Sequence, residues 1–138
     1  MKTATTIVQM LVRFCGLALV TLGLLFWTGN ARDLIPLHML LGLVLVLSLW
    51  VLAGLAARAG VPMGLVALAV AWGLIVPALG LTQAQLLPGS AHWVIQVLHL
   101  LVGIGAIGQA EGLAARIKAR QPADRDARQL PLVEGGSR

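Results

Sequence analysis

The chain has little charge. Asp, Glu, Lys and Arg make up 11% of its 138 residues, where a soluble domain carries about 25%. The shortage is concentrated: no charged residue falls between Phe14 and Ala31, between Leu34 and Ala57, or between Ala59 and Ala110. Runs of roughly 18 or more apolar residues read as bilayer-spanning helices, so these runs mark an integral membrane protein. Cysteine is almost missing too. Cys15 stands alone, which excludes an internal disulfide framework and any two-cysteine metal site; within the first apolar run it reads as a small buried hydrophobe. Acidic residues number five, and before Glu111 the only one is Asp33, in a loop. Proton-coupled exchangers generally place a carboxylate at membrane depth, so a small metal or solute transporter is disfavoured. No phosphate loop, Cys/His pair or nucleophile with an adjacent base is present. No catalytic residue is therefore expected.

What the chain does have is hydrophobicity, at 59% of residues, with a mean hydropathy of +0.92. The pattern predicts an all-α integral membrane protein, a bundle of four transmembrane helices over residues 7–27, 34–57, 62–81 and 91–115. Asp33 is the expected N-cap of the second helix, with Pro36 in its first turn. The turn Arg58-Ala59-Gly60-Val61-Pro62 carries a helix stop and a helix start. Pro77 is able to kink the third helix, and Ser90 is the expected N-cap of the fourth. Gly16 and Gly23 on the first helix, and the Gly108/Gly112 pair on the fourth, suit close helix packing and offer faces for homo- or hetero-oligomers. Arg13 is expected to snorkel to the near interface, the other option being an inward-facing contact with a ligand or partner helix. Residues 116–138 are polar and contain Pro122 and a Gly-Gly pair; they read as a basic cytoplasmic tail, mostly disordered, with room for a frayed helical start.

The net charge of +5 does not point to nucleic acid, because six of the ten basic residues lie from Arg116 onward, where topology and anionic lipid headgroups account for them. With the N-terminus inside, Lys2, Arg13, Arg58 and those six lie on the inner side and only Arg32 on the outer side. That bias predicts both termini in the cytoplasm and a multi-pass protein of the cell (inner) membrane. A rival reading makes residues 1–31 a signal peptide cleaved near Gly29-Asn30-Ala31. It would leave three spans with the same orientation.

Against this background three histidines stand out. His92, Gln96, His99 and Gly103 fall on one face of the fourth helix. From the expected caps, a rise of 1.5 Å per residue puts His38 about 7 Å, His92 about 3 Å and His99 about 13 Å into their helices, all in the outer half of the bundle. His92, beside Trp93, reads as an interfacial residue. His38 and His99 are deeper, and ionisable residues inside a span usually face the bundle interior. They have a structural explanation, as neutral imidazoles hydrogen-bonded to a backbone carbonyl or to Gln96. The functional expectation is that they are the axial ligands of one haem b held between helices 2 and 4, an electron-transfer centre. Gly42 and Gly103, each one turn from a histidine, would leave room for the flat macrocycle. Arg32, His92 and Ser90 would meet its propionates.

The segments Leu37-His38-Met39-Leu40-Leu41-Gly42 and Gln96-Val97-Leu98-His99-Leu100-Leu101-Val102-Gly103 resemble the histidine helices of small four-helix membrane b-type cytochromes, among them the cytochrome b561 family and the four-helix halves of haem A synthase. The resemblance covers the four spans and implies haem binding and electron transport, with a membrane quinone or another redox protein as partner. Two departures are plain. Proteins of the b561 family usually carry histidines for a second haem on the inner side, and haem A synthases a carboxylate near their substrate haem; neither is present here. Two other readings remain: a non-catalytic structural or assembly subunit of a membrane complex, and a copper or zinc site in which all three histidines converge, although His92 and His99 are about 10.5 Å apart along the helix.

Overall fold

A computed structural model describes residues 2–129, with side chains as far as Arg120. Four α-helices carry the described chain: α1 Lys2–Trp27, α2 Ile35–Arg58, α3 Met63–Thr82 and α4 His92–Gln129, with single 3-10 turns at Arg32–Leu34 and Gln83–Gln85. Each of the four is long and apolar enough to cross a membrane. α2 and α4 pack on each other and on both remaining helices, with α1 and α3 on opposite sides of that pair. Large apolar side chains such as Phe14, Leu17, Met63 and Leu101 are exposed on the outside of the bundle, as expected where the surrounding solvent is lipid.

The two ends of the bundle are built differently. At one end lie the start of α1, the α2–α3 turn and the continuation of α4; its cations are Lys2, Arg58, Arg116, Lys118 and Arg120, and we call it the basic end. At the other, the histidine end, lie the α1–α2 and α3–α4 loops. The core sits toward the basic end, where Leu49, Leu52, Ala53 and Ala56 of α2 meet Ala106, Ala110, Leu113, Ala114 and Ile117 of α4. On α2 no residue before Leu45 is buried.

Small residues set the helix spacing. The ring of Trp50 lies against Gly73, and that of Trp72 against Gly105. Both indoles donate across to a neighbouring helix, Trp50 Nε1 to Val70 O at 3.2 Å and Trp72 Nε1 to Val102 O at 2.9 Å. Gly16 receives Ile107. Hydrophobic transfer contributes little between helices already in lipid, so contacts of this kind, together with interhelical hydrogen bonds, carry much of the association. Gly23 and Gly108 have open space beyond them and make no close helix contact within the bundle.

Three local expectations are corrected. Asp33 does not cap α2: it lies in the preceding 3-10 turn, Leu34 occupies the cap, and no side chain bonds to the helix start. Ser90 falls in the turn before α4, which begins at His92. The fourth helix does not end near residue 115. It continues through Pro122 to Gln129, a length of about 57 Å. The α2–α3 turn explains part of this. Gly60, at φ +73°, closes α2 with bonds from Val61 N to Ala56 O and from Gly60 N to Ala57 O, the pattern of a helix stop with a left-handed residue. Val61 is thereby buried, Ile117 of α4 is fully buried, and Arg120 donates to the Gly60 carbonyl. The expected tail thus begins as a helix docked on the turn. Residues 130–138, the rest of it, lie outside the described residues.

Candidate functional site

The histidine end holds a cavity of about 680 Å³ between the four helices. Its existence follows from the sequence. Gly23 of α1, Gly42 of α2 and Gly103 of α4 all line it, and each has open space where a side chain would begin. Pro77 lines it as well, and α3 runs on through that residue to Thr82.

His38 and His99 face each other across this space. Their ring centroids are 6.3 Å apart and their planes are inclined at 46°. Nδ1 of each ring is buried with no hydrogen-bond partner. Gln96 lines the same cavity and does not satisfy either atom. A buried polar atom left unpaired costs of order 1–3 kcal/mol, and two such atoms on facing rings are conspicuous in a bundle whose other polar groups are mostly matched. Two residues that sequence reasoning missed hold the rings in place. Phe26 of α1 meets His38 edge to face at 5.4 Å. Gly80 of α3 backs His99, since a Cβ at that position would lie 3.2 Å from His99 Cε1. Gly80 falls one turn after Pro77, the only sequence signal for it; Phe26 gave none, because its role depends on how α1 crosses α2.

His92 is treated differently by the fold. It lines the cavity, but its Nδ1 lies 3.2 Å from the carbonyl oxygen of Leu86, so that ring nitrogen donates to its own loop. Arg32 stays in the 3-10 turn at the same end, exposed, and is not part of the cavity wall. Among the described residues no three His, Cys, Asp or Glu side chains gather where they would hold a metal ion. The structure brings two histidines together, not three.

Arg13 has a firmer assignment than snorkelling. Its Nε and Nη2 donate to the Glu111 carboxylate at 2.6 and 2.9 Å. Glu111 also accepts from Gln9 Nε2, and Gln9 Oε1 accepts from Lys118 Nζ, both at 2.5 Å. Four polar side chains thus tie α1 to α4 near the basic end. The Arg13 side chain remains 54% exposed, so it reaches toward the surface while contacting a neighbouring helix.

Fold and site together define a four-helix bundle with the dimensions of a membrane protein and a glycine-walled cavity closed on two sides by facing imidazoles. No family model matches the chain, and no curated protein or solved structure matches it either.

Proposed function

We propose that the chain is a b-type cytochrome of the cell's inner membrane, binding one haem b between His38 and His99 and passing electrons between partners in or at the membrane. The observation that carries this reading is the facing pair of imidazoles. Neutral imidazole is a strong ligand for iron, so a facing pair would suit one metal centre between them. The pair here stands at 6.3 Å, with an orphaned nitrogen on each ring. The cavity lies within the range of about 300–1,000 Å³ usual for small-molecule and cofactor sites.

When bound, the haem supplies a one-electron ferric/ferrous couple. The chain's own contribution is to hold and insulate it. His38 and His99 would hold it, one from each of the two central helices. Phe26 and Gly80 fix their rings, while Gly42 and Gly103 leave the flanking space clear. The largely apolar wall would lower the dielectric around the haem and so tune the potential. Arg32, in the loop at the same end, is the cation available to acidic groups at the cavity mouth. Both termini face the cytoplasm in this reading, supported by nine of the ten basic residues lying on that side; the histidine end then opens toward the outer surface.

Absorption spectra of the purified protein, oxidised and dithionite-reduced, test the proposal. Sharp α and β bands in the reduced protein, with one haem per chain at saturation, are expected. A colourless protein that takes up no added haem overturns the reading, and a structural subunit then becomes the better description.

A further inference from the structure

The walls of the histidine cavity differ seam by seam. Two seams are shut. Between α1 and α2 the ring of Phe26 lies against His38, and between α3 and α4 Gly80 lies against His99. The other two are open above a packed floor. On the α2–α3 side the floor is Trp50 against Gly73. Two and three turns above Trp50 on the same face of α2 come Leu43 and Met39; one and two turns above Gly73 on α3 come Pro77 and Leu81. All four line the cavity and all four are exposed on the outside of the bundle. On the α1–α4 side the floor is Gly16 against Ile107, and above it Leu24, Trp27 and Ile104 line the cavity and are exposed in the same way. The cavity is therefore a slot that crosses the bundle and reaches its surface at two opposite seams. Leu43 is about 12 Å from the start of α2, so what the α2–α3 seam meets at that depth is hydrocarbon.

We propose that the slot is loaded sideways: a flat, largely apolar molecule dissolved in the bilayer enters it through the α2–α3 seam. That its resident is haem rests on the reading above; the route does not. Three observations favour this seam over its opposite. Its rim is made of Met39, Leu43 and Leu81, each more than half exposed, and unbranched or γ-branched side chains of this kind swing aside at little cost. The rim of the α1–α4 seam instead carries the indole of Trp27 and the β-branched Ile104. Pro77 stands on the α2–α3 rim inside α3. It has no N–H for the Gly73 carbonyl, so the helical ladder is interrupted there, and the turn that follows, Ala78–Thr82, is freer to shift than an unbroken helix. That turn carries Gly80, so a shift that widens the seam also moves the residue backing His99. Below the seam, Trp50 Nε1 bonded to Val70 O pins α3 to α2 and keeps the movement local.

Two measurements on the full chain in phospholipid nanodiscs test this. In the first, Cys15 is replaced by Ser and a nitroxide is attached to the slot wall at Gly42→Cys or, as a second position, Gly103→Cys; both glycines have open space beyond them. Molecular oxygen, which concentrates in hydrocarbon, should relax the nitroxide strongly, and a water-soluble nickel chelate should barely reach it. A slot reached mainly by the chelate, or by neither reagent at both positions, overturns the proposal. The second measurement follows uptake of protoporphyrin IX from donor vesicles by its fluorescence. This probe contains no iron, so its entry does not depend on ligation by the histidines. Leu43→Trp combined with Leu81→Trp, which crowds the α2–α3 rim, should slow uptake about fivefold, a barrier change of about 1 kcal/mol. Leu24→Trp combined with Ile104→Trp, at the other seam, should leave the rate unchanged. Equal rates in both double variants, slowing confined to the second, or exclusion of the porphyrin altogether overturns the proposal. Helical circular dichroism and a single elution peak establish that the variants are folded. Haem content is read separately from the absorption spectrum. A colourless protein with an oxygen-accessible slot that admits porphyrin keeps this proposal and removes the cytochrome reading; a haem-loaded protein whose slot the nickel chelate reaches does the reverse.

Discussion

The basic end and the histidine end of the bundle use the same materials to opposite effect. At the basic end, glycines and alanines draw helices together, and the polar side chains reaching into the bundle find partners, Gln109 Oε1 excepted: Glu111 accepts from Arg13 and Gln9, and Gln9 in turn accepts from Lys118. At the histidine end, glycines line a cavity, and two imidazole nitrogens are buried unpaired. A single unpaired group reads as a packing defect. Two of them, on rings whose centroids lie 6.3 Å apart, are what the proposed cofactor site rests on. The difference teaches where each property resides. Stability belongs to the well-packed end, and the other end tolerates an opening because that packing already holds the four helices together.

The largest test of this division is removal of either imidazole. His38→Ala and His99→Ala should each abolish the low-spin absorption spectrum while leaving helical content and elution volume unchanged, because neither ring contributes to the packed core. Unfolding of either variant would break the division by showing that the histidine end carries the fold. Gly80→Leu should come next. Its side chain must displace His99, so a fall in haem occupancy of at least tenfold is expected by titration, with the protein still folded. At the opposite end, Leu49 is fully buried. Leu49→Ala should lower stability by about 2 kcal/mol, mostly through the cavity left behind, since the transfer contribution is small in lipid. Denaturant titration in micelles measures it, and the haem spectrum of the folded fraction should not change.

Much of this division was legible in the sequence, and the exceptions have physical causes. Composition and run length carried the four helices, because a bilayer imposes them almost independently of packing. The pairing of His38 with a histidine of α4 was within reach of arithmetic on helix rise, and the depth of His99 favoured it over His92. Caps and ends fared worse. Asp33 and Ser90 look like caps, but the chain enters α2 and α4 through tight turns that leave both ahead of the first helical residue. The continuation of α4 depends on Ile117 and Arg120 reaching the Gly60–Val61 turn, a contact 60 residues distant in sequence. Arg13 and Glu111, 98 residues apart, pair for the same kind of reason: neither segment contains information about the other until α1 and α4 are placed side by side. Local signals report local structure, and the sites here are made by helices meeting.

The ion network offers a finer test. Glu111→Gln removes the charge that Arg13 and Gln9 converge on and leaves the side-chain volume nearly unchanged. The melting temperature in micelles should fall by less than for Leu49→Ala, because the Arg13 side chain is more than half exposed and exposed pairs are weak. Combining Glu111→Gln with Arg13→Gln should then cost less than the sum of the single changes. A strictly additive result would show that the two groups do not stabilise each other.

The smallest expected effect is the most discriminating. His92 lines the same cavity as His38 and His99 and sits on the same helix as His99, so any account based only on proximity would include it in the ligand set. Its Nδ1 is already engaged with the Leu86 carbonyl at 3.2 Å, and its place at the first residue of α4 puts it about 10 Å along the axis from His99. His92→Ala should therefore retain the low-spin spectrum, with the α band unshifted and only a modest loss of affinity for haem. Loss of the spectrum in His92→Ala together with its survival in His99→Ala would reverse the assignment, and would mean that the loop preceding α4, rather than the helix itself, positions the ligand.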